Sequence, residues 1–207
     1  MRFLYKKRNY LPILMMTLLL AACGGKNKAE ETTVSINAKG VVTEEIVGSR
    51  DKQNYSSEEL QSFADKEIKA YNQKAKGEQV NLESCEINKG VPRLKITYDS
   101  CSDYAAYHNT VFFYGTISEA KSSGFDFNAD FVDNNGDTAA SATILANDAD
   151  WHVLILDEPV RVKVNGNIIY ASKNTKIINS REARPTGKTD SGDNNITTAS
   201  LVYLIFK

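Results

Sequence analysis

Ser56-Ser57-Glu58-Glu59-Leu60-Gln61-Ser62-Phe63-Ala64-Asp65-Lys66-Glu67-Ile68-Lys69-Ala70-Tyr71-Asn72-Gln73 is the longest helical signal in this 207-residue chain. Ser56 is an N-cap residue, and Glu59 stands three positions on, where its carboxylate can reach back to complete a capping box. Tyr55 before the cap and Leu60 inside it have the spacing of a hydrophobic staple. Leu60, Phe63, Ala64, Ile68 and Tyr71 recur at helical spacing, with Glu58, Asp65, Lys66 and Lys69 on the rest of the circle. The pattern predicts a helix over 57–73 whose apolar stripe needs a sheet to cover.

A sheet follows at once. Residues 80–87 and 91–98 flank Asn88-Lys89-Gly90 and read as hairpin arms. Leu94, Ile96 and Tyr98 alternate with Arg93, Lys95 and Thr97, and Val80 and Leu82 fall on the same face. Pro92 lacks a ladder donor, which places its arm at a sheet edge near the turn.

Upstream, 33–36 and 41–47 flank Ala38-Lys39-Gly40 as a shorter hairpin. Downstream, Asp99 or Ser100 caps a short helix to about His108, and 111–115 reads as a strand. Thr116 with Glu119 is a second capping box, opening a brief helix that Gly124 ends. Phe125, Phe127, Ala129 and Phe131 alternate with polar residues as a half-buried strand. The turn Asp133-Asn134-Asn135-Gly136-Asp137 leads to a return strand over 138–145. Residues 153–156 fit a central strand. Val160, Val162 and Val164 alternate up to Asn165-Gly166, a hairpin signal because both residues accept positive φ, and 168–171 returns. Lys176 to Ile178 is a further short strand, Arg184 to Thr197 a long polar loop, and 201–206 an interior strand apolar on both faces. The sum is an α+β domain: a largely antiparallel sheet built from hairpins, with one long amphipathic helix and two short helices packed on it.

The N-terminus carries an address. Arg2, Lys6, Lys7 and Arg8 precede an apolar run from Leu11 to Leu20, and small residues Ala21 and Ala22 lead to Cys23. Basic start, apolar middle and small-residue end define a secretory signal. At about ten residues the run is too short to span a bilayer, which takes about 20. The string Leu20-Ala21-Ala22-Cys23 resembles the lipobox of bacterial lipoproteins. That resemblance implies diacylglycerol on the Cys23 thiol and cleavage that makes Cys23 the N-terminus. Two acyl chains, at about 0.8 kcal/mol per buried CH₂, hold far more firmly than one. The expected organisation is a signal peptide over 1–22, a lipidated cysteine and flexible tether over 23–32, and a single extracytoplasmic domain over 33–207.

Cleavage removes 22 residues and leaves 185, enough for one domain with a real core. It also takes four positive charges from a chain of formal charge −1, leaving −5. That balance argues against nucleic acid, whose binding needs a basic face. Cys85 and Cys101 remain in a compartment that permits a disulfide. With Cys85 opposite Arg93, Cys101 lies roughly 25 Å beyond it at 3.3 Å per residue, against the ~7 Å limit for a bridge. A sharp turn after Tyr98 is the arrangement that leaves the bridge open.

Chemistry-bearing patterns are sparse. Asp130, Asp133, Asn135 and Asp137 surround Gly136, but an EF-hand register puts Ala142 where its acid belongs, so a polar turn is the better reading. Gly187-Lys188-Thr189 lacks the earlier glycine of a phosphate loop. Cys101 in a first helical turn favours thiolate, and His108 lies on the same face. Yet seven residues of helix rise span ~10 Å, too far for a direct hydrogen bond. His152 with Asp148, Asp150 and Trp151 is a polar–aromatic cluster where a general base or a sugar-stacking Trp could sit, but a loop leading into the next strand is the better reading. No metal-ligand pattern and no cofactor motif is present.

Tyr55 to Leu60 with Asp65 to Asn72, Gly115-Thr116-Ile117-Ser118-Glu119-Ala120, and Val162-Lys163-Val164-Asn165-Gly166 resemble small lipoproteins of anaerobic Gram-positive bacteria. The resemblance spans most of the mature domain, but that family has no assigned activity, so it implies no site residues. The expected function is a non-enzymatic, membrane-anchored domain at the cell envelope. It would bind a protein, an envelope polymer or a small solute, and meet the membrane only through lipid on Cys23. The alternative is an envelope hydrolase using dispersed carboxylates or the Cys101/His108 region.

Overall fold

The computed structural model describes residues 30–49, 56–186 and 201–207. Cys23, the signal segment, Tyr55 of the proposed staple and Gly187-Lys188-Thr189 lie outside them.

The α+β expectation is overturned: the described residues are mostly β, with two sheets of seven and six strands and four helices among them. The first sheet begins with β1 (Thr33–Ile36) and β2 (Val42–Val47), the expected hairpin, with Gly40 at positive φ in the turn. After α1 (Ser57–Ala75) come β3 (Val80–Asn88) and β4 (Val91–Tyr98). Next are α2 (Cys101–His108), β5 (Phe112–Thr116) and α3 (Ile117–Ser122). Then follow β6 (Phe131–Asp133), β7 (Thr138–Ala139), α4 (Ser141–Leu145) and β8 (His152–Leu156). The chain closes with β9 (Arg161–Lys163), β10 (Ile168–Ser172), β11 (Thr175–Asn179), β12 (Glu182–Pro185) and β13 (Val202–Phe206). Strand order is β11-β12-β9-β1-β2-β4-β3 in the first sheet and β5-β8-β13-β10-β6-β7 in the second.

Alternation along the strands explains the layering. Val34, Ile36, Val42, Ile96, Tyr98 and Val162 of the first sheet share one core with Leu154, Leu156, Ala171, Leu204 and Phe206 of the second. The other face of the second sheet, with Val153, Ile155, Tyr203 and Ile205, is buried beneath Ile117, Ala120, Phe127 and Ile144. The second sheet is therefore covered on both sides. That is why β13 is apolar at every position and fully buried, and why β8 fits the central place predicted for it.

Helix α1 forms for the predicted reason: the Ser56 and Glu59 side chains make both capping-box bonds. Its stripe is narrower than expected, with Ala64 and Ile68 buried and Phe63 64% exposed. The helix guards the free edge of β3. Asn72 donates its side-chain amide to the Val80 carbonyl at 2.8 Å and accepts from the Val80 N–H at 3.1 Å, the two bonds a neighbouring strand would make.

Several local expectations change. The bulge between Leu82 and Ser84 shifts β3 by one residue, so Cys85 faces Leu94 rather than Arg93, and both described cysteines are free thiols. Strand β4 is interior, between β2 and β3, so Pro92 is not on an edge. Its carbonyl accepts from Gly48 where β2 ends at Val47, so the missing donor falls just beyond the ladder. Only Phe131 of the 125–131 alternation enters a strand; the return segment is a two-residue strand followed by α4. Arg184 and Pro185, expected in a loop, belong to β12, which pairs with both β11 and β9.

The Asn165-Gly166 hairpin does not form. Strand β9 lies in the first sheet, parallel to β1, while β10 lies in the second. Gly166 does not have positive φ; a Cβ on it would stand 2.6 Å from the Lys207 carbonyl oxygen. It serves close backbone approach as the chain steps between sheets.

Candidate functional site

The structure gathers titratable side chains where β2, β4, α2 and the β8–β9 connection meet. Alternation along β2 turns Val42, Glu44 and Ile46 inward, so a carboxylate sits on an apolar face and is 5% exposed. Tyr98, the last residue of β4, donates its hydroxyl to Glu44 Oε2 at 2.7 Å. His108 Nε2 lies 3.1 Å from that oxygen and 3.0 Å from Tyr98 Oη. Beside them, Tyr104 donates its hydroxyl to Glu158 Oε2 at 2.9 Å.

Helix α2 sets this geometry. Ser100 accepts the Asp103 N–H as N-cap, and Asn109 in the left-handed region closes the other end. His108 is thus the last helical residue, where the helix dipole favours a cation. Three tyrosine rings surround its imidazole, with centroids at 4.5 Å for Tyr104, 5.2 Å for Tyr107 and 5.7 Å for Tyr98.

Burial pulls the His108 pKa down. The hydrogen bond and charge of Glu44, with the charge of Glu158, outweigh it and raise it above the usual imidazole value. Burial raises Glu158, and the charges of Glu44 and Asp157 add to that against the Tyr104 hydroxyl and the His108 charge. Burial and then Glu44 push Tyr98 and Tyr104 far above the usual phenol range, so both remain neutral donors. Asp157 is occupied by the Thr110 hydroxyl and the Val111 N–H.

The sequence-predicted residues fare unevenly. His108 enters the cluster, but not with Cys101. The Cys101 thiol faces the Gly40 carbonyl at 3.7 Å, and burial pushes its pKa up to about 12, so the expected thiolate does not form. The helix dipole loses to desolvation at this site. Asp133 organises its turn by accepting the backbone N–H groups of Asn135 and Asp137, as a polar turn requires, and no metal-binding group occurs among the described residues. His152 stacks on Tyr114, Trp151 packs against Tyr170, and Asp148 pairs with Lys121. That group diverges into separate structural contacts. Glu44, Tyr98, Tyr104 and Glu158 were missed; the available signal was a carboxylate at an inward position of an alternating strand.

A groove of about 680 Å³ runs between α1 and β3, floored by Ile68, Val80 and Leu82. A polar hollow of about 590 Å³ lies beside Asp130, Ser172 and Lys173. Neither is lined by the His108 cluster. Among the described residues no helix is long and apolar enough to cross a membrane. Comparisons with family models, with curated proteins and with solved structures find no match for this chain.

Proposed function

We propose that this chain is a lipid-anchored extracytoplasmic domain that binds a partner at the cell envelope and has no catalytic role of its own. Leu20-Ala21-Ala22-Cys23, after a basic start and a ten-residue apolar run, carries the reading. Two features favour binding over catalysis. The Tyr98 and Tyr104 hydroxyls and His108 Nε2 are engaged by Glu44 and Glu158 within the buried cluster, and both described thiols have raised pKa values, Cys85 through burial and then Asp65. The partner is a protein, an envelope polymer or a small solute; the negative balance of the processed chain disfavours nucleic acid.

The test has two arms. Palmitate labelling of the expressed protein is lost in Cys23→Ala, and the variant leaves the membrane fraction. Intact mass of the wild type gives a chain beginning at Cys23 and carrying acyl mass. Labelling or membrane retention unchanged by the substitution refutes the anchor. Pull-down from detergent extracts with the lipidated protein then identifies the partner.

One observation favours the hydrolase alternative: His108, Glu44 and Glu158 converge. Turnover of envelope polymers that is abolished by His108→Gln would replace the binding reading.

A further inference from the structure

The His108 cluster ties the paired strands β2 and β4 to α2 and the β8–β9 connection, which no ladder joins to them. Glu44 belongs to β2, Tyr98 to β4, His108, Tyr104 and Tyr107 to α2, and Asp157 and Glu158 to the β8–β9 connection. From α1, Tyr71 meets Tyr107 with ring centroids 5.4 Å apart, and Glu67 acts on Tyr107 by its charge. Asp103 of α2 accepts from the Tyr71 hydroxyl. One imidazole therefore stands between Glu44 and Glu158, with Asp157 acting on Glu158 beside it.

We propose that this cluster is a proton-operated latch: the imidazolium of His108 holds the C-terminal turn of α2 against β2 and the β8–β9 connection, and loss of its proton frees that turn. The Nε2–H donates to Glu44 Oε2 beside the Tyr98 hydroxyl, so two donors converge on one buried carboxylate oxygen. The helix C-terminus stabilises the cation further. Removing the proton leaves the hydrogen bond but cancels the charge. Glu44, 5% exposed, then shares a confined space with Glu158 and Asp157 and no counter-charge from His108.

The surrounding phenols do not confuse the response. Tyr71, Tyr98, Tyr104 and Tyr107 all have raised pKa values, from burial first and then from Asp103, Glu44, Glu158 or Glu67, so they stay protonated while the imidazole titrates. The other end of α2 has its own anchors in the Ser100 cap and the buried Cys101. The movable part is the last turn, with Tyr107 and His108, and the latch is closed in acid and open in alkali.

The experiment is NMR on the detergent-solubilised full chain. In a His152→Gln background the remaining imidazole signal belongs to His108. Its midpoint is expected above the ordinary value of ~6.5. Amide protection factors for 105–108, corrected for intrinsic exchange, are expected to fall roughly tenfold through that midpoint while staying below those of β13, as a local opening requires. His108→Gln is expected to flatten the pH dependence. A midpoint at or below the ordinary value overturns the proposal. So does α2 protection that matches β13 at every pH, or a pH dependence that survives His108→Gln. Should that variant fail to fold, Glu44→Gln decides: the latch requires the midpoint to drop, and an unmoved midpoint overturns it.

Discussion

Gly166→Ala is the substitution that separates two accounts of the same dipeptide. In a hairpin turn Gly166 would be needed for its φ, and Asn would replace it more gently than Ala. In the observed fold it is needed for space. An added Cβ would meet the Lys207 carbonyl oxygen at 2.6 Å, its carbonyl carbon at 2.8 Å and the Phe206 ring at 3.0 Å. These neighbours are not free to yield. Asn167 and Lys207 exchange N–H···O bonds at 2.6 and 3.1 Å, and Phe206 is 1% exposed between the sheets. Forcing a methyl into such a site costs about 1–3 kcal/mol. With a urea slope of about 1–3 kcal/mol/M for a domain of this size, the midpoint drops by roughly 1 M while the slope stays the same. Gly166→Asn is expected to be at least as damaging. Gly90 supplies the contrast: its φ is +77° and no atom lies within 4 Å of an added Cβ. There Ala costs about 1–2 kcal/mol for the left-handed backbone, and Asn recovers part of it. Urea unfolding of the four variants, followed by circular dichroism, reads both patterns. A Gly166→Asn variant milder than Gly166→Ala would falsify the close-approach account and restore the hairpin.

Three further outcomes follow from the geometry. Leu204→Ala, at a fully buried position of β13 between the sheets, is expected to cost about 2–5 kcal/mol in the same assay, and a loss under 1 kcal/mol would contradict a shared core. Maleimide at neutral pH should modify Cys85, which is half-buried, well before Cys101, whose thiol is buried and held up to about 12; mass mapping of the two peptides reads the order, and equal rates refute it. Burial raises the Glu182 carboxyl, but Arg161 outweighs it by hydrogen bond and charge, with Asn179 and Lys163 assisting, and the pKa falls below its usual value. Its stabilisation is therefore present above the unfolded carboxylate pKa and lost as pH falls through the folded one, so Glu182→Gln flattens the acid limb of a stability–pH curve; an unchanged limb refutes it.

What the sequence displayed most plainly was whatever depends on neighbours along the chain. Both capping boxes, the Ser100 cap, the 88–90 turn and the interior character of 201–206 need only local spacing or composition. The fold class failed for the same reason. Helix signals are concentrated and conspicuous, so one helix of 19 residues outweighed strands of two to nine residues whose partners lie far away. Strand β9 illustrates the loss. Its alternating valines are equally consistent with a hairpin to β10, yet its partners are β1, about 128 residues earlier in the register Thr33↔Arg161, and β12. No local pattern encodes that choice.

The site shows the same limit from the other side. His108 was visible as one of two histidines, but its chemistry was assigned to the nearest nucleophile in sequence. The residues that set its charge come from positions 44 and 158, and Glu44 meets Tyr98 beside it because β2 and β4 pair in the register Val42↔Tyr98. A slip of one residue would turn Glu44 outward to water and remove the cluster. The same inward face that packs Val42 and Ile46 into the shared core therefore forces Glu44 to find a buried partner. That requirement gives an uncommon residue, an inward carboxylate, a cation whose charge depends on pH. Fold stability and proton sensitivity are thus coupled through one strand. Any change in β2 register should abolish the raised His108 pKa before it disturbs the second sheet, whose ladders and second core do not include Glu44.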